Sequence, residues 1–446
     1  MFFWVFMIYL VLLILINGKM KYYWFFFYFF MLLFMFMKNI FMTSEGAYSN
    51  HYGIYFFDAL SVWLIILTFW VILLSMFSMM EMNNLNNSLL FLHFMMMFLL
   101  FFFFSIFNMF FFFILFEASL LPIFMIVIFF GVYKQRIFSM YYFVFFTILT
   151  TIPLFLITGI LINEGVINYY FYILTTSGMF FSNSFILYFS LILGFLSKLP
   201  VYGLHMWLPK AHVDAPVGGS MILAGVLLKL GGYGVIRMFC LLDYSILSFF
   251  FYFLMALGVF GFFYAAMVCV RILDMKVIIA FSSVSHMSFA FVGCLLGVYI
   301  SLKGSYLMFL GHGIVSPIMF YIVNLLNKSY GTRLMLGMKG KSLLYSFFLF
   351  FSLIFFLFNL GFPPFINFFA EIFVMFGIVF YYKYLLFVVF LGFFFNGIFL
   401  FNMLGIFSQS KYIHSKTLSF VSMDYFIFFL SFIIVMLMTI FLDNFF

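Results

Sequence analysis

Lys198-Leu-Pro-Val-Tyr-Gly-Leu-His205-Met-Trp-Leu-Pro-Lys210-Ala-His212-Val-Asp-Ala-Pro216 decides how this chain is read, together with its continuation Gly219-Ser-Met-Ile-Leu-Ala-Gly-Val-Leu-Leu-Lys229-Leu-Gly-Gly-Tyr-Gly234. Upstream of it the chain is apolar back to about residue 184, and Lys198 ends that run two residues before Pro200. Proline has no amide hydrogen and clashes with the preceding turn, so a helix carrying it must kink or break. Downstream, Lys229 lies inside a second apolar run, near 216–240, that has no other charge before Arg237. A lysine within an apolar segment of membrane-spanning length costs about 2.5 to 3.5 kcal/mol on the mildest insertion scale. Two such lysines, the first beside a proline break, point to polytopic membrane helices with a functional interior.

The rest of the chain agrees. Of 446 residues, 69% are hydrophobic and only 7% charged, against about 25% charged in a soluble domain, which excludes a water-soluble globular fold. With roughly 20 residues per crossing, cutting at polar breaks predicts about fourteen spans. They lie near 2–17, 22–43, 54–79, 88–107, 108–131, 138–162, 184–206, 216–240, 246–270, 275–300, 303–326, 343–382, 384–407 and 421–443. The twelfth is about twice the needed length and contains Pro363-Pro364, so it should be broken, as the seventh should be at Pro200. Breaks five spans apart suggest two inverted five-helix repeats, spans four to eight and nine to thirteen. The expected fold is therefore all-α. Its units are three peripheral spans over 1–87, repeats over 88–240 and 246–407, and a C-terminal helix over 421–446.

The net charge of +8 reflects topology rather than nucleic acid. Thirteen of the 19 Lys and Arg follow odd-numbered spans, whereas Lys38, Arg237, Lys303 and Lys383 follow even ones. By the positive-inside rule the odd loops face the cytoplasm-equivalent side and both termini the opposite one. The apolar start from Phe2 to Ile16 has neither a basic leader nor a small-residue cleavage site, so it reads as the first span. The 85 Phe and 34 Met look like A/T-biased coding, common in organelle genomes. Cys240, Cys269 and Cys294 stand alone without metal-ligand or disulfide spacing. No phosphate-binding loop, nucleophile-base-acid order or HExxH motif is present.

Four intramembrane charges need a reason: Glu117, Lys198, Lys229 and Glu371. Exposed to lipid they would cost about 10 kcal/mol together, so they should face the bundle interior. Removing an amine or a carboxyl from water disfavours its charged form and a neighbouring opposite charge restores it. Altering the separation of a Glu/Lys pair therefore loads or releases a proton. Glu117 is the natural partner of Lys198, with Lys229 next. His205 follows Lys198 by seven residues, nominally two turns on along one face, His286 follows Ser282 and Ser283 as a polar stripe, and His312 lies between two glycines. Lys276 and Asp58 are near span ends, where they could snorkel to the interface.

The opening stretch is similar to the antiporter-like proton-channel subunits of respiratory complex I. Three further stretches resemble the same family: Phe116-Glu117-Ala-Ser-Leu-Leu-Pro122, Ala280-Phe-Ser-Ser-Val-Ser-His286-Met, and Gly361-Phe-Pro-Pro-Phe-Ile-Asn367-Phe-Phe-Ala-Glu371. The likeness covers roughly 110 to 380. It implies a fifth-helix Glu117 paired with a seventh-helix Lys198, a central Lys229, and Glu371 near the exit half-channel. It also implies His205, His286 and His312 on a hydrated axis. Asp214 departs from the glutamate usual in the motif. The resemblance implies proton translocation across the mitochondrial inner membrane, both termini on the intermembrane-space side, driven by NADH oxidation and ubiquinone reduction elsewhere. The implied partners are other complex I subunits, chains 2 and 5 above all, and the lipid bilayer. No cofactor is expected in this chain, since FMN, iron-sulfur clusters and ubiquinone would belong to other subunits. The competing expectations are a subunit of a multisubunit cation/proton antiporter and a structural scaffold whose buried charges are static.

Overall fold

A computed structural model describes residues 50–52, 55–80, 87–106, 108–131, 133–163, 185–239, 248–335, 346–408 and 422–440. The expected spans at 2–17 and 22–43, Cys240 and both termini lie outside the described residues. So do most of the unit over 1–87 and the segments 409–421 and 441–446.

In hydrocarbon every backbone amide must be bonded within its own segment, and the described chain is accordingly helical. The exception to the all-α expectation is one short antiparallel pair, β1 (Asn50–Tyr52) with β2 (Tyr55–Phe57). The helices follow as α1 (Ala59–Met80), α2 (Asn87–Ser105), α3 (Met109–Ala118), α4 (Leu120–Phe130), α5 (Arg136–Asn163), α6 (Phe185–Lys198), α7 (Trp207–Asp214), α8 (Val217–Ile222), a π-helical turn at Leu223–Leu227, and α9 (Leu228–Phe239). The second half holds α10 (Ser248–Arg271), α11 (Met275–Leu295), α12 (Tyr299–Tyr330), α13 (Ser346–Asn359), α14 (Ile366–Tyr381), α15 (Leu385–Ser408) and α16 (Ser422–Ile440). Nine segments among the described residues are long and apolar enough to cross a membrane, which makes this a multi-pass membrane protein.

Local chemistry sets the ends. Helix α1 begins at Ala59, later than the expected 54, because Ser61 caps it, accepting from the Asp58 N–H and donating to the Asp58 carbonyl, both at 2.9 Å. The span expected as one piece over 108–131 is divided at Ser119 into α3 and α4. Pro122 leaves the Ala118 carbonyl without its helical donor and crowds it, so the division falls beside Glu117. Hydroxyls inside the bundle are satisfied by their own helices: Thr68 donates to Ile65 O, Ser75 to Ile72 O and Ser197 to Gly194 O, at 2.7, 2.7 and 2.8 Å. This back-bonding lets serine and threonine lie in an apolar interior where an unpaired hydroxyl would be costly.

Proline does not break every helix that contains it. Pro153 and Pro317 lie inside α5 and α12, which continue through them. The chain leaves helix over 199–206 and 360–365 instead, where a glycine accompanies the prolines with φ in the left-handed region, +95° at Gly203 and +70° at Gly361. Only glycine takes that conformation without cost, so proline and glycine together end the helix.

The inner helices carry the polar groups. The apolar window of Val217–Met238 is 94% buried and that of Tyr299–Lys328 is 100% buried, whereas that of Leu385–Gly405 is only 28% buried. Helix α12 packs against α11 and α14, α10 against α11 and α15, and α1 against α8. Outer α5 and α15 present Phe138, Phe145, Phe387 and Phe394 outward. Between helices in lipid there is little hydrophobic drive, and close van der Waals approach at small residues does the work.

Candidate functional site: a row of buried ionisable side chains

Lys229 is fully buried on α9, two residues past the π turn. Its Nζ donates to the Ala224 carbonyl at 2.5 Å and meets His312 Nδ1 of α12 at 3.0 Å. A π turn inserts one extra residue, and such insertions are frequent at functional sites. Here it lies immediately before the lysine and contains the carbonyl that holds it. The His312 ring lies 5.8 Å, centroid to centroid, from that of His286 on α11. His286 Nδ1 lies 3.9 Å from Oε1 of Glu371 on α14. All four side chains are buried, Glu371 being 8% exposed. Lys229, His312, His286 and Glu371 therefore form one row across α9, α12, α11 and α14.

The row has the chemistry of a proton relay. An imidazole can accept a proton at one nitrogen while releasing one from the other, and neither ring nitrogen of His286 has a hydrogen-bond partner. The separation of 3.9 Å to Glu371 exceeds a hydrogen bond, so that step requires a small ring rotation or a bridging water. Ser282 and Ser283, expected to extend the His286 stripe, donate to Ile279 O at 2.9 Å and to Ala280 O at 2.7 Å. Their protons are thus committed to the backbone.

The glycine at the second break shapes the far end. A Cβ at Gly361 would stand 2.5 Å from Glu371 Oε2 and 2.9 Å from its Cδ. The carboxyl thus occupies the space that any larger residue would fill.

Lys198 closes the first half-helix, 1% exposed. Its Nζ donates to the Phe116 carbonyl at 2.5 Å and lies 3.2 Å from the centroid of the Phe116 ring. Glu117, the next residue, is within electrostatic reach of the amine, but its Oε1 is buried without a hydrogen-bond partner. The lysine thus holds the neighbouring carbonyl and ring, with the carboxylate beside it. Helix α9 supports this end closely: a Cβ at Gly231 would lie 2.6 Å from Leu199 N and 2.8 Å from Phe195 O.

His205 corrects the expectation of a shared face with Lys198. Helix α6 ends at Lys198 and α7 starts at Trp207, so no continuous helix carries both. His205 lies in the irregular link, where its Nδ1 accepts from the Gly203 N–H at 3.3 Å and its ring stacks on Tyr202. Lys276, expected to snorkel, is instead 5% exposed. Asp58 keeps its place near a span end and pairs with Arg237 at 2.7 Å. The reading of the sequence passed over His212, fully buried on α7 and stacked on Phe320 with centroids 4.6 Å apart. Its only signal was a second histidine seven residues after His205. Among the described residues no group of three His, Cys, Asp or Glu could hold a metal ion.

A helical membrane bundle with a half-helix break beside Lys198, another beside Glu371, and ionisable groups aligned between them defines an antiporter-like transmembrane protein. Residues 106–398 match the family described as NADH:quinone oxidoreductase/Mrp antiporter, TM, and the chain belongs to that family. It is 34% identical over 325 residues to NADH-ubiquinone oxidoreductase chain 4 of Ceratitis capitata, covering 71% of this chain and 70% of that one. Against the protein of the same description from Mytilus edulis it is 44% identical over 181 residues, 41% of this chain, and spans only 42% of that relative's length. Among solved structures, a chain of respiratory complex I from Thermus thermophilus with bound NADH has the same fold, with a TM-score of 0.81 at 21% identity over 92% of this chain and 90% of that one.

Proposed function

We propose that this chain is a membrane-arm subunit of a respiratory NADH:ubiquinone reductase and moves protons across the mitochondrial inner membrane. The observation that carries the reading is the row Lys229, His312, His286 and Glu371, each within 3.0 to 5.8 Å of the next. Lys198 and Glu117 lie separately at the first break, within electrostatic reach of one another. Redox energy arrives from other subunits, which hold the FMN, the iron-sulfur clusters and the ubiquinone, and chains 2 and 5 flank this one. The similarity to chain 4 proteins supports these assignments.

The same reading takes the chain as fourteen spans, with both termini on the intermembrane-space side and odd loops in the matrix. Inverted repeats would occupy 88–240 and 246–407, between the three spans of 1–87 and the helix of 421–446. Supporting it, the chain leaves helix beside Pro200 and at Pro363-Pro364, in the seventh and twelfth of the expected spans.

The test is proton movement per NADH oxidised in sealed vesicles carrying the assembled complex with Lys229→Met or Glu371→Gln. A relay predicts that the ratio falls while assembly persists. A scaffold of static charges predicts an unchanged ratio in every variant that assembles.

A further inference from the structure

Asn367 is a buried polar residue to which the row from Lys229 to Glu371 gives no part. It is the second residue of α14 and is fully buried. Its Nδ2 reaches across the second break and donates to the Phe358 carbonyl, in the last turn of α13, at 3.2 Å. The same carbonyl accepts the Gly361 N–H at 3.1 Å. One oxygen thus ties the start of α14 to the turn in which Gly361 takes its positive φ of +70°. Gly361 in turn walls the Glu371 carboxyl, since a Cβ there would stand 2.5 Å from Oε2. Asn367 and Glu371 are four residues apart on α14, so they share one face of the helix.

The other half of the amide faces α12. A carbonyl is met only by a donor, so Nδ2 must point at Phe358 and Oδ1 away from it. Oδ1 is buried without a hydrogen-bond partner, and a Cβ at Gly311, the residue before His312, would overlap it. An unpaired buried acceptor costs stability, whereas a leucine would fill the same space without one, so packing does not account for the amide. The first break is bridged in the same manner. Trp207, at the start of α7, donates through Nε1 at 2.9 Å to the carbonyl of Ser197, the residue before Lys198. At both breaks, then, a side chain that opens the following helix donates to the penultimate carbonyl of the preceding one.

We propose that Asn367 is a positioning residue for the Glu371 carboxyl. Its amide locks the Gly361 turn against that carboxyl and spaces α14 from Gly311 and His312 of α12. The 3.9 Å between Glu371 Oε1 and His286 Nδ1 is held by this wall, while Asn367 itself exchanges no proton. The inference rests on the relay reading of Glu371.

The test uses the assembled complex in sealed vesicles, with protons moved per NADH oxidised as the readout and native electrophoresis as the check on assembly. Asn367→Leu keeps the shape and removes the donor, and Asn367→Asp keeps the shape and donates only as the carboxylic acid. Asn367→Leu should lower the ratio at every pH, by no more than Glu371→Gln does. The Asn367→Leu/Glu371→Gln double variant should lose no more than Glu371→Gln alone, because Asn367 acts through that carboxyl. Asn367→Asp should match Asn367→Leu at high pH and recover toward the parent as the pH falls, a response that a packing role would not produce. The ionisable groups nearby are Glu371 on α14, His312 on α12 and His286 on α11, while α13 and α15 carry none. Both variants keep all three, so their difference reports on position 367. Assembled Asn367→Leu with the parent ratio overturns the proposal and leaves the row standing if Glu371→Gln lowers the ratio. If Glu371→Gln also keeps the parent ratio, the relay reading falls and the proposal with it. A double variant that loses more than Glu371→Gln overturns it as well. Should Asn367→Leu fail to assemble, Asn367→Asp decides: a ratio that does not recover as the pH falls overturns the proposal.

Discussion

Substituting Gly361 by alanine separates the two things this residue does. Its φ of +70° costs an alanine about 1–2 kcal/mol for the left-handed conformation. The added Cβ would also stand 2.5 Å from Glu371 Oε2 and 3.0 Å from Oε1, where ordinary contact is about 3.5–4.0 Å. The carboxyl must therefore retreat by about 1 Å, with overpacking of about 1–3 kcal/mol. The total is about 2–5 kcal/mol, and a 1 Å misplacement of a reacting group can cost ~10²-fold in rate. Glu371→Asp shortens the side chain by one methylene and removes the overlap but not the backbone cost. The temperature at which assembled complex is lost should therefore rank parent, then Gly361→Ala/Glu371→Asp, then Gly361→Ala, followed by native electrophoresis after heating. Proton movement per NADH should fall in the single variant. A single variant as stable as the parent would refute the reasoning, and so would a double variant no better than the single.

Gly231→Ala should drive the end of α6 away, since its Cβ would meet the backbone at Leu199 and Phe195. The expected cost is about 1–3 kcal/mol, seen as earlier thermal loss of the complex together with a lower proton ratio. Asp58→Asn should cost about 1 kcal/mol by weakening the partly exposed pair with Arg237. It should leave the proton ratio unchanged, and a fallen ratio in assembled complex would contradict this. Tyr321→Phe removes the hydroxyl that donates to the buried Asp424 carboxylate and should cost about 1–3 kcal/mol. Thermal loss of assembled complex checks it.

The side chains of the buried row were legible in the sequence because an ionisable group in an apolar run is an exception that needs a reason. Lys229, His312, His286 and Glu371 each stand out that way, although they are separated by up to 142 positions, from 229 to 371. Their order in space was not legible, since adjacency depends on which faces of α9, α11, α12 and α14 meet. His212 was passed over for the same reason. On α7 alone it is one histidine among others, and its unpartnered nitrogens appear only once Phe320 lies across its ring.

By itself the sequence determined the class, a multi-pass bundle of apolar helices, because hydrocarbon admits few ways to satisfy a backbone. It also located the two interruptions, at Pro200 and Pro363-Pro364. Tertiary structure decided what those prolines could not. Pro153 and Pro317 stay inside helices, whereas Pro200 and the Pro363-Pro364 pair have glycines nearby that take positive φ. Packing also fixed the π turn before Lys229 and the order of the buried groups across α9, α12, α11 and α14. Both depend on the shape of neighbouring helices, and a single helix's sequence does not contain that shape.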